Sequence, residues 1–252
     1  MERKSRFPIN NFCFGAYNND VEEITITQNG IDCLYMSYLY GKVRERFSFL
    51  PSKCDLRRMG DTTEIAFETE REYCPYVRKF TEENIADVIA VGYKYAFFEK
   101  RLTLPLLSKL QKRLLITALV AADYRDDRTF VARRLRGYES YCVDGVFHFR
   151  LRDLQKRWEG IAEYIPTDMG AASLDGFIEF LTEDGEGKLF LKDGKVYGED
   201  YRLLSRSVLT GVESSVGEIL LGGAEQVYCF GKTDEETAAF LKKYYGEKAV
   251  FC

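Results

Sequence analysis

The chain has 252 residues, 46% hydrophobic and 30% charged, with a formal net charge of −4 and five prolines. Such a chain can bury a sizeable core, and the composition excludes a disordered or low-complexity protein. The longest apolar run, Leu114 to Ala122, falls far short of a bilayer span, so no transmembrane segment is expected.

The opening stretch "MERKSRFPINNF" lacks an apolar core segment, so no secretory leader is expected. Seven cysteines at 13, 33, 54, 74, 142, 229 and 252 form no CxxC pair, which signals neither a zinc site nor a disulfide framework. A cytoplasmic protein with mostly buried thiols, no cofactor and no metal is the expectation. Charge is unevenly placed. Lys109 to Arg157 carries twelve basic against six acidic residues, and Trp158 to Asp200 carries three lysines against eleven acids. These blocks either face each other or present two differently charged surfaces.

In chain order, "NFCFGAY" and Thr62 to Thr69 read as strands, the second by its alternation. Between them Ile31, Leu34, Tyr35, Tyr38 and Val43 fall roughly at helical spacing. Thr81 is expected to cap a helix carrying Ile85, Val88, Ile89, Tyr93 and Phe97 inward, with Glu82 and Glu83 at its positive end. A break near Leu102 leads to a second long helix from about Pro105, with Leu107, Leu110, Leu114, Ala118 and Ala122 on one face. "DYRDD" reads as a solvated turn around Asp126 and Asp127, followed by a helix through Phe130, Val131, Leu135 and Tyr138.

The segment "YCVDGVFHFRLRDLQKRW" holds the single histidine, His148, and the single tryptophan, Trp158. Phe147, Leu151, Leu154, Trp158, Ile161 and Ile165 are spaced four, three, four, three and four apart, which predicts one continuous helix over 147–165 with Trp158 in the core. His148 sits at the edge of that stripe. Arg150 and Arg157 share one flank a heptad apart, and Asp153 is placed to pair with either.

Beyond Pro166, Leu174, Phe177, Ile178 and Leu181 predict a short helix, and "KLFLKDGKVYG" predicts a hairpin turning at Asp193-Gly194. Leu209, Val212, Val216, Ile219 and Leu220 are expected along one helix stopped by Gly222 and Gly223. "EQVYCF", a helix capped by Thr233 and Glu236, and "KAVFC" read as a right-handed parallel strand–helix–strand crossover ending in a buried Cys252.

Few residues signal chemistry. "FGKT" at Phe230 to Thr233 resembles the end of a phosphate loop, but Gln226 stands where the cradle requires glycine. His148 has no identifiable catalytic partner nearby. "RRLRGY" with Arg150, Arg152 and Arg157 is a conceivable phosphate-binding stripe, set against a net negative charge.

In "VDGVFHFRLRDLQKRW", Gly145, Phe149, Arg150, Leu151 and Asp153 match a Gly-Phe-x-x-Phe-Arg-Leu-Lys-(Asp/Glu)-Tyr run. Arg152 replaces its lysine, Val146 its phenylalanine and Leu154 its tyrosine. With the terminal crossover ending "YGEKAVFC", this resembles the sporulation-associated YtxC-like proteins of endospore-forming bacteria, from about Phe80 onward. The chain departs from them in carrying "PTDMGAASLDGF" after the motif. The resemblance implies a cellular setting, sporulation, and no catalytic residue.

The expectation is therefore a mixed α/β (α+β) protein with a helical middle and a small C-terminal sheet containing the crossover. Its regions are 1–79, 80–165 and 166–252, or one continuous globular unit. The leading function is a structural or protein-interaction role, with a binding edge of His148, Arg150, Arg152 and Arg157. The alternative is nucleic-acid binding through a basic patch within 109–157.

Overall fold

The computed structural model describes residues 21–30 and 34–252. The expected strand at "NFCFGAY" and the helix position of Ile31 lie outside them. The protein is mixed α+β: two four-stranded sheets flank a helical middle.

The first sheet runs in the order β2 (Lys53–Met59), β3 (Thr62–Glu70), β1 (Val21–Asn29), β4 (Ser140–Cys142). β3 pairs antiparallel with both β2 and β1, setting Ile26 opposite Ile65, while β4, far along the chain, pairs in parallel with β1. Helix α1 (Leu34–Arg46) packs on β3 and buries Met36, Leu39 and Val43.

The middle begins with α2 (Cys74–Asp87), a π-helical turn (Val88–Tyr93) and α3 (Lys94–Arg101), continuous through one rod. The rod starts seven residues before Thr81. Pro75 takes the first turn, where a missing amide costs nothing, and Thr81 is buried mid-helix. In the π turn the Lys94 amide reaches the carbonyl of Ile89, five residues back. Gly92 admits the Tyr35 ring, which stacks on Tyr93 at 5.3 Å; a Cβ at 92 would lie 2.5 Å from that ring.

Helix α4 (Lys109–Ala122) starts four residues after Pro105, because Ser108 and Gln111 form a reciprocal capping box. Leu110 is consequently exposed, and Leu115, Ile116 and Leu119 form the buried face. Helix α5 (Tyr124–Leu135) contains the acidic cluster in its first turn instead of following it.

The expected single helix over 147–165 is two. Helix α6 (Val143–Arg150) and α7 (Arg152–Tyr164) meet at Leu151, whose φ of −117° and ψ of 29° leave the helical region. The Gln155 side-chain amide donates to the Phe147 carbonyl at 2.7 Å, satisfying an acceptor at the end of α6. The stripe survives the break: Phe147, Leu151, Leu154 and Trp158 are all buried, Trp158 completely, with Ile161 and Ile165 packed at the core's margin.

Helix α8 (Ala171–Glu183) leads to the second sheet, ordered β6 (Lys195–Tyr197), β5 (Lys188–Lys192), β7 (Gln226–Phe230), β8 (Ala249–Phe251). The β5–β6 hairpin turns at Asp193 and Gly194, with φ of 50° and 74°. β7 and β8 are parallel and joined by α10 (Glu235–Tyr244), the expected crossover. Two details differ. Residues 206–222 form a 3₁₀ turn (Arg206–Thr210) and α9 (Ser215–Gly222), separated at Gly211 with φ of 81°, so Val212 is exposed. The cap of α10 is Asp234, which accepts from the Thr237 amide at 2.8 Å. Cys252 is exposed, because its backbone pairs with Cys229 while its side chain lies beyond the last buried position of β8.

Candidate functional site

Two buried polar clusters fasten α5 to the α2–α3 rod. In the first, the Lys94 ammonium, wholly enclosed, lies 2.8 Å from Asp127 Oδ2 and 3.5 Å from Asp123. Asp127 also accepts from the Trp158 indole N–H at 2.8 Å and faces the Arg157 guanidinium at 3.3 Å. A carboxylate is tolerated here because two cations and a donor replace its lost hydration. In the second, Asp87 accepts from the Tyr124 hydroxyl at 2.7 Å and from Arg128 Nε at 2.6 Å.

The second cluster forms the floor of a cleft of about 1160 Å³ between α1, the rod, α5 and residues 197–206. Six cationic side chains line it: Lys42, Arg46, Arg125, Arg128, Arg202 and Arg206. They face three carboxylates, those of Glu45, Glu83 and Asp87. Several of these cations are braced from behind. Arg206 lies 4.8 Å from the Tyr124 ring centroid and 3.7 Å from Glu218, which is buried and accepts from the Ser207 amide. Arg125 pairs with Glu186, and Arg202 with Asp200. Lys42 and Arg46 pair with no carboxylate among the described residues; Lys42 stands 5.6 Å from the Tyr38 ring.

Burial, reinforced by the Asp87 charge, raises the Tyr38 phenol well above its ordinary value, so it stays protonated. Burial also raises the Glu218 carboxyl, although Arg206 opposes that shift. Desolvation works against the Arg206 charge, and the neighbouring Glu218 and Asp87 carboxylates help to hold it cationic. The cleft thus combines fixed positive charge and protonated phenols. Among the described residues its lining includes no histidine or cysteine, and it can bind an anion.

The sequence-predicted edge is divided. His148, Arg150 and Arg152 are exposed, but Arg150 ends α6 and Arg152 opens α7, across the break at Leu151. Arg157, itself exposed, reaches Asp127 at 3.3 Å and lies 5.1 Å from the Phe130 ring centroid. Asp153 pairs with Arg134 of α5 at 3.9 Å and with neither expected arginine. His148 rests edge-on against Phe147 and lies outside the cleft lining. The basic block of 109–157 is likewise distributed: Arg125 and Arg128 enter the cleft, while Arg134 and Arg157 gather at Phe130. Arg125–Glu186 is one place where the basic and acidic blocks meet.

Sequence reasoning took Asp127 for a solvated turn residue and passed over Lys94 and Asp87. Asp127 is 2% exposed. A signal was present: Tyr124, Asp127, Val131 and Leu135 are spaced three, four and four apart, and all four are buried. The N-terminus of α10 after "FGKT" is occupied by the Asp234 carboxylate, which excludes a phosphate cradle there. Among the described residues no group of three or more His, Cys, Asp or Glu is placed to hold a metal, and no helix is long and apolar enough to cross a membrane. No family model, curated protein or solved structure matches the chain.

Proposed function

We propose that the protein is an interaction protein whose cleft receives an acidic segment of a partner protein. The observation that carries this reading is the excess of cationic groups around the cleft, six against three carboxylates, with Lys42 and Arg46 of α1 in no ion pair among the described residues although Glu45 shares their wall. Phe49 and Tyr201, both largely exposed, also line the cleft and offer apolar anchors beside the charges. Charge complementarity of this kind steers association and selects partners more than it supplies raw affinity. The likeness of Gly145–Asp153 and of the terminal crossover to YtxC-like proteins is the ground for setting that partner in the cytoplasm of a sporulating bacterium.

The test is fluorescence anisotropy with a labelled Asp/Glu-rich peptide containing Phe and Leu, alongside a Lys-rich peptide of the same length. The acidic peptide is expected to bind and to weaken about tenfold or more in Lys42→Glu/Arg46→Glu. Equal affinity for the two peptides, or an unchanged affinity in the variant, overturns the reading.

A further inference from the structure

The second sheet has two unlike faces. Leu189, Leu191, Val196, Val227 and Cys229 point inward and are buried. The other face carries Lys188, Phe190 and Lys192 from β5, Lys195 and Tyr197 from β6, Gln226, Tyr228 and Phe230 from β7, and Val250 from β8. The strand register sets Tyr197, Phe190, Tyr228 and Val250 in one row across all four strands, with Phe230 beside Lys192.

The rings are near-parallel. Phe190 stacks with Tyr201 at 4.9 Å and 18°, with Tyr228 at 5.8 Å and 30°, and with Phe230 at 6.4 Å and 27°. Tyr201 holds its position from a left-handed backbone conformation, φ 57°, that side chains other than glycine's adopt at a cost. Tyr201 is 72% exposed, and Phe230 is 40% exposed. A sheet face meant only for solvent would carry polar residues here, and one meant for a core would be covered.

Charge identifies the occupant. Lys188, Lys192 and Lys195 are exposed, and the strand residues of this face include no carboxylate. None of the three lysines pairs with an acid among the described residues, and Lys188 stands 5.8 Å from the Tyr228 ring. Of the acids at the rim, Glu199 accepts from the Lys188 amide, Asp200 pairs with Arg202, and Asp193 is exposed at the β5–β6 turn. Parallel aromatic planes interleaved with ammonium groups on an open four-stranded sheet match the two repeating parts of a single-stranded nucleic acid, planar bases and phosphates.

We propose that this face binds single-stranded nucleic acid, with bases stacking on Tyr201, Tyr228 and Phe230 and phosphates meeting Lys188, Lys192 and Lys195. The surface is distinct from the stripe of 109–157 and needs no partner in the α1 wall of the cleft, although Tyr197 and Tyr201 border both.

The experiment measures anisotropy of a labelled 15-nucleotide RNA, a DNA of the same sequence, and the duplex, on the full-length protein. Both single strands are expected to bind more tightly than the duplex, with log K falling on log salt at a slope of about −2 for three phosphate contacts. Tyr228→Ala/Phe230→Ala is expected to weaken binding at least tenfold. Lys188→Ala/Lys192→Ala/Lys195→Ala, which alters only exposed groups and keeps the fold, is expected to weaken binding and flatten the salt slope. Lys42→Glu/Arg46→Glu should leave it within about twofold. No binding at 50 mM salt, a preference for duplex, or sensitivity to the cleft variant with indifference to the lysine variant overturns the proposal. No binding, or a preference for duplex, leaves the acidic-peptide reading of the cleft to its own assay, whereas sensitivity to the cleft variant would place the nucleic acid in the cleft.

Discussion

Removing the Asp127 carboxylate tests the account of how the helical middle is held. Asp127→Ala strands a fully enclosed Lys94 ammonium, leaving it only Asp123 at 3.5 Å, and deprives the buried Trp158 indole of its acceptor. Breaking a buried pair costs about 3–5 kcal/mol, and an unsatisfied buried donor about 1–3 kcal/mol. The two penalties share one site and do not add fully, so a loss of about 4–6 kcal/mol is expected. Lys94→Met, by contrast, leaves Asp127 with the Arg157 guanidinium at 3.3 Å and the indole, and its cost is about 2 kcal/mol. The double variant Lys94→Met/Asp127→Asn keeps a neutral acceptor for Trp158, buries no charge, and is expected to be more stable than Asp127→Ala. The assay is guanidinium unfolding followed by fluorescence of Trp158, the chain's single tryptophan, and by far-ultraviolet circular dichroism. With a slope of about 5 kcal/mol per molar, Asp127→Ala should lower the midpoint by roughly 1 M. If Lys94→Met proves more damaging than Asp127→Ala, or the double variant loses the sum of the two, the cluster is not a charge pair serving a shared acceptor.

Other expectations follow from local geometry. Gly185→Ala would drive its Cβ into the Ala224 backbone and should destabilise by about 2 kcal/mol. Gly160→Ala, in open space within α7, should gain up to about 1 kcal/mol; paired thermal melts check both. Hydrogen bonds from Lys243 and then Tyr244 hold the Asp175 carboxyl below its ordinary 3.8, tying α8 to α10. Because the folded value is the lower one, this contribution is complete above about pH 4 and fades as pH falls through the folded value. The stability gap between wild type and Asp175→Asn should therefore close on acidification; a gap that widens there refutes the linkage. In peptide-resolved labelling with a thiol reagent at pH 8, exposed Cys142 and Cys252 should react before buried Cys74 and Cys229. Cys54, whose thiol burial and the Asp55 charge push up to about 11, should lag behind the exposed pair. Faster modification of Cys74 than of Cys252 would contradict the burial pattern.

Periodicity made several elements legible before any coordinates. The β3 alternation, α8, the β5–β6 hairpin at Asp193-Gly194, the β7–α10–β8 crossover and the burial of Trp158 all follow from local pattern and turn chemistry. Those signals reside in residues a few positions apart, where backbone geometry fixes which side chains share a face. Helix ends were misplaced where a competing local device prevailed. Examples are Ser108 with Gln111 over Pro105, Asp234 over Thr233, and Gln155 at the Leu151 break. Spacing could show that Asp127 shares a face with Val131 and Leu135, but not that Lys94, thirty-three residues earlier, would meet it there. The return of β4 to β1, the cationic cleft and the row of rings on the second sheet are likewise products of assembly. A charged residue's role depends on which distant group replaces its water, and that pairing is settled only when the elements pack.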